Sequence, residues 1–277
     1  LAEDDDFEGV RRDPDPISRA RRALKLLDHY RDLSQELVRI RRDAIEQAHL
    51  ERGMSYTEVA QALGITKGRI SQIRSSAPPR ERAFFGVGPV SVGIPQREAV
   101  TDRPRPVIAA EDTRTSQFLQ ELLTDYRFTV NTFEIAPNAK TLPEGDLVVV
   151  CGPISAPVAK ALIAEDPTMD FAKARDGRWY IKPKSEKERL FSPSDEEKRA
   201  NADLAYVARR VSDGRVVLHI AGIHAIGSLG AAEYLASNVA ELYEQLGDSS
   251  FTLVVRSAYD GLKIKKTELV AGPFPWS

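Results

Sequence analysis

The sequence predicts an α/β protein in two parts, an all-α N-terminal domain with a long helix and a mixed α/β domain after it. Three observations carry this. The chain has 277 residues, more than the roughly 100–150 of a common single domain. Residues 16–52 hold no glycine, and their one proline, Pro16, stands where a helix begins. From Phe84 onward, short aliphatic runs alternate with helical stretches, the order of an α/β fold. The expected division is an acidic disordered tail over 1–14, a helical domain over 15–80 and an α/β domain over 84–277.

Charge is distributed unevenly. Residues 1–10 hold five acids and no base, residues 11–82 hold 16 Lys and Arg against 10 Asp and Glu, and the remainder holds 23 against 26. A basic module joined to a mildly acidic one fits a nucleic-acid reader that carries something else. No apolar run approaches the roughly 20 residues that span a bilayer. The acidic stretch Glu3–Asp6 is unlike a signal peptide. The expectation is a cytoplasmic protein with no membrane partner. The single cysteine, Cys151, excludes an intrachain disulfide, and its aliphatic neighbours make it a small core residue.

The long helix carries Ala23, Leu26, Tyr30, Leu33, Leu37, Ile40 and Ala44 in alternating steps of three and four, the period of a coiled-coil seam. Leu27, Val38, Ile45 and Ala48 widen the stripe. Such a face either packs on neighbouring helices or pairs with a second subunit, so a homodimer is expected. In the next segment, residues 54–74, Ser55 and Glu58 form a capping-box pair. Ala60 is small where a second helix crosses, and Gly64 permits a left-handed turn. Ile65 and Ile70 fill the space between the helices, and Thr66 caps the second. This is a helix-turn-helix.

Residues 54–74 resemble the helix-turn-helix of sigma-factor region 4 and of many bacterial transcriptional regulators. The resemblance implies that the second helix enters the major groove of double-stranded DNA, leading with its N-terminal residues. By position it assigns DNA contact to Thr66, Lys67, Gly68, Arg69, Ser71, Gln72 and Arg74. Arg69 and Gln72 suit base edges, because a guanidinium grips guanine and a carboxamide grips adenine with two hydrogen bonds. Lys67 and Arg74 suit phosphates. Gly68 is unfavourable inside a helix unless DNA backbone comes close. Ser75–Pro79 reads as a short stiff linker.

In the second part, strands are expected at 107–110, 128–134 and 146–151, with helices at 113–126, 156–164 and 229–246. Hairpins are expected to pair 178–181 with 189–191, 204–209 with 216–220, and 251–257 with 263–270. The sheet is expected to be Rossmann-like and mixed, parallel in its middle and antiparallel toward an edge. Two strand-to-helix joins draw attention. One contains Gly152, Pro153 and Ser155, and the other Gly222, His224, Gly227 and Ser228. Such turns expose backbone amides at helix N-termini and favour a phosphate or carboxylate. Ligands collect where two such loops meet at strand ends, and Glu111 and Asp112 follow another strand end. Trp179 and Tyr180 are candidates to cover a ligand. Glycines of this kind also serve tight turns with no ligand, and a lone loop histidine is commonly structural.

These loops resemble those of nucleotide-sensing Rossmann-like domains attached to bacterial regulators and defence systems, a likeness of architecture and not of activity. No metal-ligand spacing occurs, since His29, His49 and His219 are scattered, and Ser228 lies outside a G-x-S-x-G elbow. No catalytic residue and no cofactor is assigned. The leading expectation is a sequence-specific transcriptional regulator whose α/β domain senses a small anionic, nucleotide-like effector or mediates dimerisation. The alternative is a DNA-tethered nucleotide or nucleoside hydrolase or glycosyl-transferring enzyme, using Glu111, Asp112 or Glu233 beside His224.

Overall fold

A computed structural model describes residues 7–100, 103–198 and 200–276. Asp15 caps the long helix by accepting the Ser18 amide at 2.6 Å, and Pro16 opens it. With no internal breaker this helix, α2 (Pro16–Leu50), runs for 35 residues, about 52 Å at 1.5 Å per residue. A short helix α1 (Phe7–Arg12) packs against it, and Val10 and Leu26 are buried. Residues 7–12 were expected to be disordered. Burial of Val10 gives them a reason to fold, and residues 1–6 lie outside the described residues. Helices α3 (Tyr56–Ala62) and α4 (Lys67–Ser76) follow, so the expected linker begins two residues later than the sequence implied.

The α/β part is built on a seven-stranded sheet: β1 (Val90–Pro95), β4 (Val130–Ile135), β5 (Asp146–Val150), β9 (Ala202–Ser212), β10 (Arg215–Gly222), β11 (Phe251–Asp260) and β12 (Lys263–Pro275). Their order is β12-β11-β9-β10-β5-β1-β4. β4, β1, β5 and β10 are parallel, while β9, β11 and β12 add antiparallel neighbours on one side. Helices α5 (Ala110–Asp125) and α7 (Ala225–Leu246) cover one face through Leu119, Leu123, Leu235 and Val239. Helix α6 (Pro157–Ala164) covers the other. β5 shows the alternation that this layering demands: Val148 and Val150 join the α5/α7 core, and Leu147 and Val149 join the α6 core.

Two elements depart from the sequence reading. Residues 107–110 are not a strand of the sheet. Val107 ends the small hairpin β2 (Arg97–Val100) and β3 (Pro104–Val107), and Ala110 opens α5. The first parallel strand is instead β1, a short run hidden between Pro89 and Pro95. In addition, β7 (Trp179–Pro183) and β8 (Leu190–Phe191) pair as expected but are joined by β6 (Met169–Lys173) in a three-stranded sheet. That sheet packs over Tyr206 and Val254.

The expected boundary near residue 80 is a tightly bonded join. Residues Arg80–Phe85 form a 3-10 turn whose Arg82 is fully buried. Its guanidinium donates to Asp32 of α2 at 2.9 Å and to the Val87 carbonyl at 3.0 Å, reaches Glu36 at 3.4 Å, and stacks on Phe128 at 3.8 Å. Asp32, also fully buried, accepts the Thr129 amide just before β4. Arg209 grips the same turn from β9 by donating to the carbonyls of Ala83 and Phe84. Removing one member of such a buried pair strands the other charge. Asp32→Ala is therefore expected to destabilise the chain by about 3–5 kcal/mol in chemical denaturation. Asp32→Leu combined with Arg82→Met should recover much of that loss, and a double variant as unstable as the single one would disprove the pairing argument.

Candidate nucleic-acid interface and ligand crevice

The helix-turn-helix is held by a small core of Ile45, Val59, Ala60, Ile70 and Ile73, with Ala48 and Ile65 packed against it. Ser55 and Glu58 form the reciprocal capping box, and Gly64 turns at φ 65°. The Thr66 hydroxyl accepts the Arg69 amide at 3.1 Å and fixes the start of α4. Thr66, Lys67, Gly68, Arg69, Ser71, Gln72 and Arg74 are all exposed on one side of that core. Arg69 donates to the Gln72 carboxamide oxygen, which aligns the two side chains along the open edge of the helix.

Two of these positions take on more specific meaning. Arg74 also donates to Glu46 of α2 at 2.6 Å and lies over the Tyr56 ring at 4.2 Å. It clamps α4 to α2 and α3 and so aims the helix. Gly68 has no neighbour that would exclude a side chain, since a Cβ there would meet only the Thr66 hydroxyl at 3.9 Å. Packing within the chain does not explain this glycine.

At the other end of the molecule, a cavity of about 600 Å³ opens beyond the C-terminal ends of β1, β5 and β10. From β1 the chain crosses to β4 on one side, while β5 lies on the other, so this is a topological switch point of the sheet. Of the eight residues that the sequence assigned to a ligand, Glu111, Gly152, Pro153, Ser155, Gly222, His224 and Ser228 line this crevice. Gly227 does not. Its amide donates to Asp203, and a Cβ there would lie 2.4 Å from that carboxylate. Ser228 holds the turn by accepting the Gly222 amide at 2.9 Å.

The electrostatics of the crevice are mixed. The fully buried Asp203 carboxylate accepts from the His224 and Gly227 amides at the start of α7, where a phosphate was expected. Glu98, Glu111 and Asp112 line the cavity along with Arg97. His224 sits between Asp203 on Nδ1 at 3.1 Å and Asp195 on Nε2 at 3.2 Å. The hydrogen bond to Asp203 leads in holding its pKa above the usual histidine value. Both ring nitrogens are thus engaged within the chain. Glu233, Trp179 and Tyr180 lie outside the lining, and Phe171 of β6 faces the cavity instead.

Arg97, Asp195 and Asp203 were missed in the sequence. Arg97 follows β1, whose strand character was hidden, and the two aspartates reach His224 only through the fold. Asp112 is nearly inaccessible and receives Arg97 at 3.0 Å. Burial pushes its carboxyl up to about 6, against the pull of Arg97. The Cys151 thiol beside it is pushed up to about 12, again by burial.

Because the folded pKa of Asp112 lies above its unfolded value, its contribution to stability falls as pH rises from about 4 to about 6 and stays low above that. Asp112→Asn should therefore stabilise the chain at pH 7.5 by on the order of 2 kcal/mol, with no gain at pH 4. Denaturation at the two pH values checks this, and an equal effect at both would refute it.

Among the described residues no group of three or more His, Cys, Asp and Glu is placed to hold a metal ion, and no helix is long and apolar enough to cross a membrane. No curated protein and no solved structure matches the chain. Residues 33–77, the second half of α2 together with α3 and α4, match the family model of sigma-70, region 4, and this segment is a helix-turn-helix DNA-binding region.

Proposed function

We propose that this chain is a sequence-specific transcriptional regulator that reads DNA with α4 and responds to a small molecule held in the crevice. The observation that carries the DNA-reading half is the open edge of α4. Arg69 and Gln72 extend from it as aligned base-reading side chains, and Gly68 leaves its N-terminal turn bare. Arg74 and Glu46 set the angle at which that edge is presented.

The effector is nucleotide-like in its ribose and base rather than in a polyphosphate. The acceptors Glu98 and Glu111 suit hydroxyl or amino donors, Arg97, half-exposed beside Asp112, suits one negative group, and apolar walls at Pro95, Val150 and Phe171 suit a flat ring. Its binding would reach the DNA-binding region through α7, which begins at the crevice with His224 as its cap. The C-terminal turn of α7 places Tyr243 within electrostatic reach of Arg39 and Asp43 on α2.

Duplexes selected from a random pool by the full chain provide the test. Arg69→Ala and Gln72→Ala should each lower affinity for the selected site by about 1–3 kcal/mol, and Lys67→Ala should weaken all duplexes alike. Unchanged affinity in the first two would reject the assignment. Gly68→Ala should raise thermal stability, by up to about 1 kcal/mol, yet weaken DNA binding. A stabilised variant that binds normally would remove DNA approach as the reason for that glycine. For the crevice, thermal shifts of the full chain should rise with nucleosides or nucleoside monophosphates and not with triphosphates. A preference for triphosphates would overturn the ligand chemistry.

A further inference from the structure

The predicted seam of α2 has two fates. Leu26 is buried, and Ile45 and Ala48 are taken up by the helix-turn-helix core. Between them Tyr30, Leu37 and Ile40 stand 50%, 66% and 47% exposed, with Ala44 exposed and Leu33 half-buried. Residues 30, 33, 37, 40 and 44 repeat every three and four positions and include no charge. The neighbouring charges point elsewhere. Asp32 and Glu36 bind Arg82, and Arg39 bridges Glu36 and Asp43. An uncharged two-heptad row therefore lies open on α2, with the adjoining Asp32, Glu36, Arg39 and Asp43 bonded within their own chain.

We propose that this row binds a second copy of the chain, with the two α2 helices antiparallel and the two-fold axis at Leu37. The proposal rests on reading the chain as a DNA-binding regulator and adds how two of them assemble. The sizes of the side chains favour this orientation. Antiparallel pairing places Tyr30 against Ala44 of the second copy, Leu33 near Ile40 and Leu37 on Leu37, so large meets small at both ends. Parallel pairing stacks Tyr30 on Tyr30 and Ala44 on Ala44, a crowded layer and an empty one.

The charges permit it. Arg41 flanks the row and is exposed, and antiparallel helices set it beside the neutral Ser34 of the second copy, so no like charges meet there.

Head spacing is a third consequence. Ile45 and Ala48 anchor the helix-turn-helix, eight and eleven residues beyond Leu37. At 1.5 Å per residue, the two anchoring regions lie about 24–33 Å apart along the antiparallel pair. That approaches the roughly 34–36 Å between half-sites one turn apart on a duplex.

The test uses the full chain. Sedimentation should give twice the 30.7 kDa chain mass. Leu37→Glu with Ile40→Glu should weaken association by at least about 100-fold with unchanged circular dichroism, since both side chains are exposed in the single chain, and with a melting temperature that no longer rises with protein concentration. Mild oxidation should cross-link the double variant Tyr30→Cys/Ala44→Cys, while the single variants stay uncross-linked. Cross-linking of Ala44→Cys alone would overturn the antiparallel arrangement, and a parent chain that sediments as a monomer would overturn the pairing. Those failures differ from failure of the functional reading: a monomer that still binds selected duplexes loses only the pairing, and a dimer that binds none loses only the DNA-reading role.

Discussion

The Asp32 carboxylate is the contact on which the arrangement of the whole chain depends. It lies midway along α2 and is fully buried, yet its partners come from two other places: the Arg82 guanidinium in the turn before β1 and the Thr129 amide before β4. A carboxylate removed from water at that depth persists only with donors on both oxygens. The helix that carries the DNA-binding region therefore has one seat on the sheet. Gly88 shows how close that seat is, because a Cβ there would meet both Asp32 and Phe128.

That seat also sets the helix-turn-helix and the crevice at opposite ends of the molecule. Thr129 and Val87 lie at the N-terminal ends of the parallel strands, and the crevice opens at their C-terminal ends. The sheet and α7 stand between, and α7 alone spans about 33 Å over its 22 residues. A packed sheet and helix transmit a displacement as a shift of rigid bodies rather than a local deformation. Arg209 ties β9 to the same join, since it ends on the carbonyls of the turn that holds Arg82.

The crevice shows how one buried carboxylate changes the surroundings of a loop. The run Gly222–Gly230 has the glycines and the helix start of an anion-binding turn, and both are present. Asp203, at the start of β9, fills the place where the anion would sit. Its backbone faces Ser257 of β11 across the sheet, so its distance from His224 in sequence hides its proximity in space. Asp195 reaches His224 from another loop and closes the far side of the ring. The glycines serve close packing of α7 on the sheet: Gly227 lies against Asp203 and the Leu204 carbonyl, and Gly230 against Ser257.

The local features were determined by the sequence alone. Asp15, Ser55 and Thr66 cap their helices, Gly64 turns the chain, and the aliphatic alternation of β5 separates two cores. Each depends on residues a few positions apart, where backbone geometry and side-chain period act directly. Only the tertiary structure decided that Arg74 is a clamp, that residues 80–85 form a buried join between the two parts, and that Asp203 accepts α7 amides. It also decided which stretch of the α2 seam stays open. These outcomes turn on partners 28 to 126 residues apart for Arg74 and the join, and neither periodicity nor capping chemistry carries information over such distances. Burial is a property of the assembled layers, and for a charged side chain burial decides whether it faces a ligand, DNA or its own chain.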